Sequence, residues 1–118
     1  MKGNWHHHGV SMVADRAISM TKVKNLLKKM AGYSAVNISN IRVNGLLIGC
    51  SGFIHKDGSD RIVYFNTEYA TSPGRNYGRI LYRHAEGDND HIGGVNRYCT
   101  FGDFGDALDR MFRDERVW

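Results

Sequence analysis

Metal chemistry is the first possibility that the residue types raise. His6, His7 and His8 are adjacent, and His84, Asp88, Asp90 and His91 share one short segment. A structural zinc site takes four ligands at defined spacings, and neither group has them. No native metal or other cofactor is expected, and the histidine run reads as a place for adventitious nickel or zinc. Cys50 and Cys99 are the only cysteines. A thiol beside a histidine base can act as a nucleophile, but no catalytic signature surrounds either one. They read as reduced, partly buried thiols, which suits a reducing cytosol. A phosphate-binding loop, a dinucleotide fingerprint and a nucleophile elbow are missing from the sequence. Gly45, Gly49 and Gly52 fall within strand-like segments, where glycine marks bulges or close packing. The expectation is a protein that is not an enzyme.

The strongest chemical signal is a grouping of arginines and tyrosines between Arg61 and Tyr98. These two residue types dominate interface hot spots, and they also stack on or pair with nucleic acid. A period of two sets Tyr64 opposite Val63 and Phe65, and it sets Arg79, Leu81 and Arg83 opposite Ile80 and Tyr82. If helices cover one face of the sheet, the other stays open, partly aromatic and basic. Tyr64, Arg75, Tyr77, Arg79, Tyr82 and Arg83 are therefore the candidate binding residues. The same pattern also suits a plain half-exposed sheet, its tyrosine rings covering the pleat beneath snorkelling arginines.

The elements that must hold these residues can be read from the apolar spacing. Met20, Val23, Leu26, Leu27, Met30 and Ala31 recur three and four apart, which predicts a helix over 20–31 with Thr21 as N-cap and Gly32 beyond its end. Lys22, Lys24, Lys28 and Lys29 occupy its other arc, with Lys24 and Lys28 as a secondary binding patch. Lys22 and Lys24 stand at the wrong end of the helix dipole. That cost hints at a basic face in use; the competing reading is an ordinary solvated face. A weaker helical turn is expected over 11–18, and residues 1–11 form a polar arm carrying Trp5. From Ala35 the period becomes two. Asn44-Gly45 between apolar runs predicts a tight hairpin, with a bulge near Ser39 or Asn40. Further strands follow to about His55, over Arg61–Tyr69 and Arg79–His84, with a short one within Val95–Thr100. Phe104, Ala107, Leu108, Met111 and Phe112 make a closing helical stripe, capped by Asp103 and braced by Asp106–Arg110 and Asp109–Arg113 pairs. The expected fold is a single α+β domain over 12–118. It has two layers, an antiparallel meander of three to five strands packed against an N-terminal and a C-terminal helix.

Size and charge narrow the function. With 118 residues there is room for one domain, and no apolar run approaches the ~20 residues of a membrane helix. The start lacks a signal peptide's apolar stretch, so no membrane contact is expected. The net charge is +4, yet residues 102–118 carry five acidic and three basic side chains, which leaves the rest of the chain more strongly basic. Such a body favours an anionic partner and cannot mimic DNA over its main surface. Helix, three strands and helix is also the order of double-stranded RNA-binding domains, whose last helix brings lysines to the phosphates. Here that position reads Asp103-Phe104-Gly105-Asp106, which repels phosphate.

Trp5-His6-His7 near the start, Leu81-Tyr82-Arg83 at a strand end and Gly93-Gly94-Val95-Asn96 before the last helix resemble small uncharacterised phage and mobile-element proteins of Gram-positive bacteria. In that pattern a small hydroxyl residue follows the arginine, where this chain has His84. Several small phage proteins with a helix–meander–helix layout are anti-CRISPR or related anti-defence inhibitors. The resemblance implies an inhibitor working in the host cytoplasm by protein–protein or ribonucleoprotein contact. Its partner would be a host defence protein or an RNA-guided nuclease complex, with RNA or DNA contact open to it. The alternatives are a small basic nucleic-acid-binding protein and, behind it, a metal-dependent enzyme.

Overall fold

Apolar residues three and four apart make Met20–Lys28 a helix, α1, that buries Val23 and Leu27 in the core. The computed structural model describes residues 17–91 and 94–113. The arm 1–11, with His6, His7 and His8, lies outside them, as does most of the turn expected over 11–18. Ser19 caps α1 in place of Thr21, its Oγ accepting from the Lys22 N–H at 3.3 Å. The helix stops sooner than its apolar spacing predicts. The Lys29 and Met30 N–H groups donate to the carbonyls of Leu26 and Leu27, three residues back, which tightens the last turn.

Alternation then builds an antiparallel meander in chain order: β1 Tyr33–Val43, β2 Leu46–Lys56, β3 Ile62–Asn66, β4 Ile80–Ala85 and β5 Arg97–Cys99. Asn44 and Gly45 both take positive φ, +53° and +80°, and Val43 pairs with Leu46 across them. The irregularity expected near Ser39 starts earlier. The register shifts between Val36 and Ser39, where Asn37 has φ +51°, and again between Ile41 and Arg42. Gly52 lies against the first bulge, where a Cβ would stand 2.9 Å from the Cα of Ile38.

β3 ends at Asn66, so Tyr69 is not in a strand. The Asn66 carbonyl oxygen Oδ1 accepts from the Glu68 N–H at 2.8 Å and bends the chain into a 3-10 turn over Glu68–Ala70. Thr67, fully buried, holds that corner in place. Its Oγ1 donates to the Ile18 carbonyl and accepts from the Cys50 N–H, both at 2.9 Å, so β2, the turn and the approach to α1 meet at one hydroxyl.

The closing helix, α2, spans Phe101–Arg113. Thr100 precedes it and caps it, accepting from the Asp103 N–H at 3.3 Å while its hydroxyl donates to the Asp103 carboxylate at 3.2 Å. The Asp106–Arg110 and Asp109–Arg113 pairs do not close among the described residues. Asp109 instead accepts from the Tyr33 hydroxyl at 2.6 Å, and Arg110 lies beside Tyr82 at the cleft. Both helices share one face of the sheet. Val23 and Leu27 of α1 and Phe104, Ala107, Leu108 and Met111 of α2 form one core with Cys50, Ile54, Val63, Phe65, Ile80 and Tyr82. The two-layer α+β architecture is as the sequence predicts. No helix among the described residues is long and apolar enough to cross a membrane.

Candidate interaction surface

The face turned away from the helices is only partly open. Cross-strand pairing aligns Val36, Phe53, Tyr64 and Arg83 in one row on that face. Residues 86–91 return across this row after β4. His91 sets its ring edge-on against Phe53 and Tyr64, with centroids 5.2 and 5.7 Å apart. His55 Nε2 meets the Asp88 carboxylate at 2.6 Å, and the Asn37 amide donates to the Asp88 carbonyl at 2.9 Å. Arg83 lies beneath this loop, 2% exposed, with its guanidinium 4.5 Å from the centre of the Tyr64 ring. Its two terminal nitrogens donate to the carbonyls of His84 (3.0 Å) and Asp90 (2.8 Å).

Three of the expected binding residues are therefore inside the fold. Tyr64 and Arg83 do sit on the predicted face, but the loop covers them. Tyr82 is on the helix side, 8% exposed, with its ring 6.3 Å from Phe104. Alternation sets Tyr82 opposite Arg83, as found, so Tyr82 does not belong to the open face on which a binding residue is expected; the structure corrects the exposure of all three.

The other expected residues remain at the surface. Arg75 and Arg79 are exposed and Tyr77 is half-buried. The segment that carries them is shaped by its own turns: the Tyr77 N–H donates to the Gly74 carbonyl, the Arg79 N–H to Asn76, and the Gly78 N–H back to Ala70. This places Arg79 at the mouth of a cleft of about 500 Å³ between the β4–β5 edge and the start of α2. Arg79, Tyr98, Thr100, Asp103, Asp106 and Arg110 are among its walls, with Tyr82 and Cys99 alongside. Burial raises the Tyr82 pKa, the Cys99 thiol adds to this, and Arg110 and Arg97 oppose it. Burial and then Asp103 push Cys99 up to about 11 against the pull of Arg110, and burial does the same for Cys50 against the hydrogen bond from Thr67. Both thiols are thus held protonated near neutral pH, the opposite of an activated nucleophile.

Next to the cleft the second face is still partly accessible. Tyr69, from the 3-10 turn, packs its ring edge-on against Tyr98 at 5.8 Å, both half-buried. The Asn66 amide donates to Glu68 at 2.9 Å and to the Tyr64 hydroxyl at 3.4 Å. An end of the sheet with arginine and tyrosine thus exists: Arg79 and Tyr98 line the cleft, Arg75 and Tyr77 lie in the turns that precede Arg79, and the surface is smaller than alternation alone implies. Arg110, Asp103 and Asp106 line the same cleft although they are not among the expected binding residues, because the helical pattern reads them as a cap and an intrahelical ion pair. Lys24 and Lys28 are exposed on α1, which packs mainly on β1, at the other side of the sheet from β5.

No group of three or more metal-ligating side chains is assembled among the described residues. Comparison with known families, curated proteins and solved structures gives no match. The chemistry of the surface itself must carry the functional reading.

Proposed function

We propose that this chain is a non-enzymatic binding protein of the phage anti-defence type, gripping a host defence protein or an RNA-guided nuclease complex with its arginine–tyrosine end. The observation that carries this reading is exposed Arg79 together with Tyr98 in the wall of a preformed cleft, with exposed Arg75 and half-buried Tyr77 in the turns that lead to Arg79. Arginine offers a planar fork of donors, and tyrosine a rigid ring with one polar tip. Asp103 and Asp106 on the opposite wall add acceptors. That mixture of charges suits a protein or ribonucleoprotein surface better than a uniform array of phosphates, which the two carboxylates would repel.

Titration of the labelled chain with a purified RNA-guided nuclease loaded with guide RNA tests this. The native chain binds, and Arg75→Ala/Arg79→Ala lowers affinity at least about tenfold, each hot-spot arginine contributing upwards of about 1 kcal/mol. The melting temperature stays unchanged, since both side chains are exposed. Failure of the native chain to bind, or equal affinity of the folded double variant, overturns the reading.

A further inference from the structure

The outer face of α1 is a second charged surface, and the lysines of its first turn do not serve the fold. Thr21, Lys22, Lys24, Asn25, Lys28 and Lys29 are all exposed, and α1 contains no acidic residue. At about 100° per residue, Thr21 and Asn25 form the crest of the exposed arc. Lys24 and Lys28 lie on one flank, Lys22 and Lys29 on the other. None of the four ammonium groups has an ion-pair partner among the described residues; Lys22 lies 5.8 Å from the Phe101 ring centre. Lys22 and Lys24 also add to the positive end of the helix dipole, and no carboxylate in the first turn offsets them. That first-turn pair is unfavourable to the helix alone, whereas Lys28 and Lys29 suit its negative end, and all four gain once an anion faces them.

The anion must be extended, because the lysines span two flanks and roughly 10 Å of helix axis. A helix with its side chains is about 10–12 Å across, and the major groove of B-form DNA is about 12 Å wide with a phosphate strand on either side. Lysines on both flanks can then meet both strands, while Thr21 and Asn25 face the base edges. α1 has no aromatic side chain for stacking on unpaired bases, which disfavours a single strand. Asp103 and Asp106 on the neighbouring α2 are exposed and repel phosphate, so the duplex seats on the lysines of α1 and not on α2. We propose that α1 is a docking surface for double-stranded DNA, held by its phosphate backbone. This stands independently of the arginine–tyrosine end.

Fluorescence anisotropy with a labelled DNA duplex of about 20 bp, at salt between about 50 and 200 mM, tests it. The chain binds at the lower salt, and affinity falls steeply as salt rises. Lys24→Gln/Lys28→Gln weakens binding at least about tenfold and lowers the slope of log affinity against log salt by about 2, one for each ammonium group taken from a phosphate. Arg42→Gln, which removes a charge from the β1–β2 hairpin outside the helix, leaves the slope unchanged. Circular dichroism confirms that the lysine variant is folded. No binding at the lower salt overturns the proposal. So does an unchanged slope in the folded lysine variant, an equal loss in Arg42→Gln, or binding to vesicles of anionic lipid without binding to the duplex.

Discussion

Arg83→Ala is expected to destabilise the domain by about 3 kcal/mol, not to disarm an exposed surface. The side chain is 2% exposed, donates to two carbonyls at 3.0 and 2.8 Å, lies 3.8 Å from the Asp90 carboxylate and covers the Tyr64 ring. Alanine leaves the His84 and Asp90 carbonyls without those donors and opens a void beneath residues 86–91. Arg83→Lys keeps the charge but loses the two-pronged geometry, so it should fall between alanine and the native chain. Urea unfolding gives the numbers. Arg75→Ala and Arg79→Ala serve as exposed comparisons and should each change stability by no more than about 0.5 kcal/mol. Native stability in Arg83→Ala would place the arginine outside the fold.

Phe104→Ala should be more damaging still, at about 3–5 kcal/mol. Phe104 is fully buried and packs its ring against Phe65 of β3 and Tyr82 of β4, with centroids 5.8 and 6.3 Å away. It is the side chain that fixes the first turns of α2 to the sheet. Truncation leaves a cavity that Leu108 and Ala107 cannot fill without moving the helix. Because Tyr82 borders the cleft, the same change should loosen the wall carrying Asp103 and Asp106. Phe104→Leu keeps most of the volume and should cost less than about 1.5 kcal/mol. Chemical denaturation of both variants checks the pair, and a loss under about 1 kcal/mol in Phe104→Ala would contradict the docking of α2.

The architecture is legible in the sequence because its signals are local. The Asn44-Gly45 turn, the period-two runs and the α2 stripe each act within a few residues; the turn and the stripe appear where the sequence places them, and the strands do so apart from the end of β3 at Asn66. Two helix caps fall a few residues from their expected places, because Ser19 and Thr100 compete with nearby Thr21 and Asp103 and only backbone geometry decides between them. The binding face is harder to read. Alternation puts Tyr64 and Arg83 on the right side, but it carries no information about what lies over them. Residues 86–91 look like an ordinary polar loop; their contacts with His55 and Asn37 span 33 and 51 positions and leave no periodic trace. The loop can cover an arginine because its carbonyls supply the acceptors that a buried guanidinium requires. Arg75, Tyr77 and Arg79 stay uncovered by it because they precede β4 in a segment that folds on its own turns.

Hydrogen–deuterium exchange of the chain, alone and bound to the guide-loaded nuclease, maps the contact surface most directly. Exchange should slow over residues 74–79 and 97–99, while the hairpin tip at 43–46 exchanges as it does in the free chain. Slowing confined to the tip or to residues 86–91, with none over 74–79, would contradict a partner held at the arginine–tyrosine end.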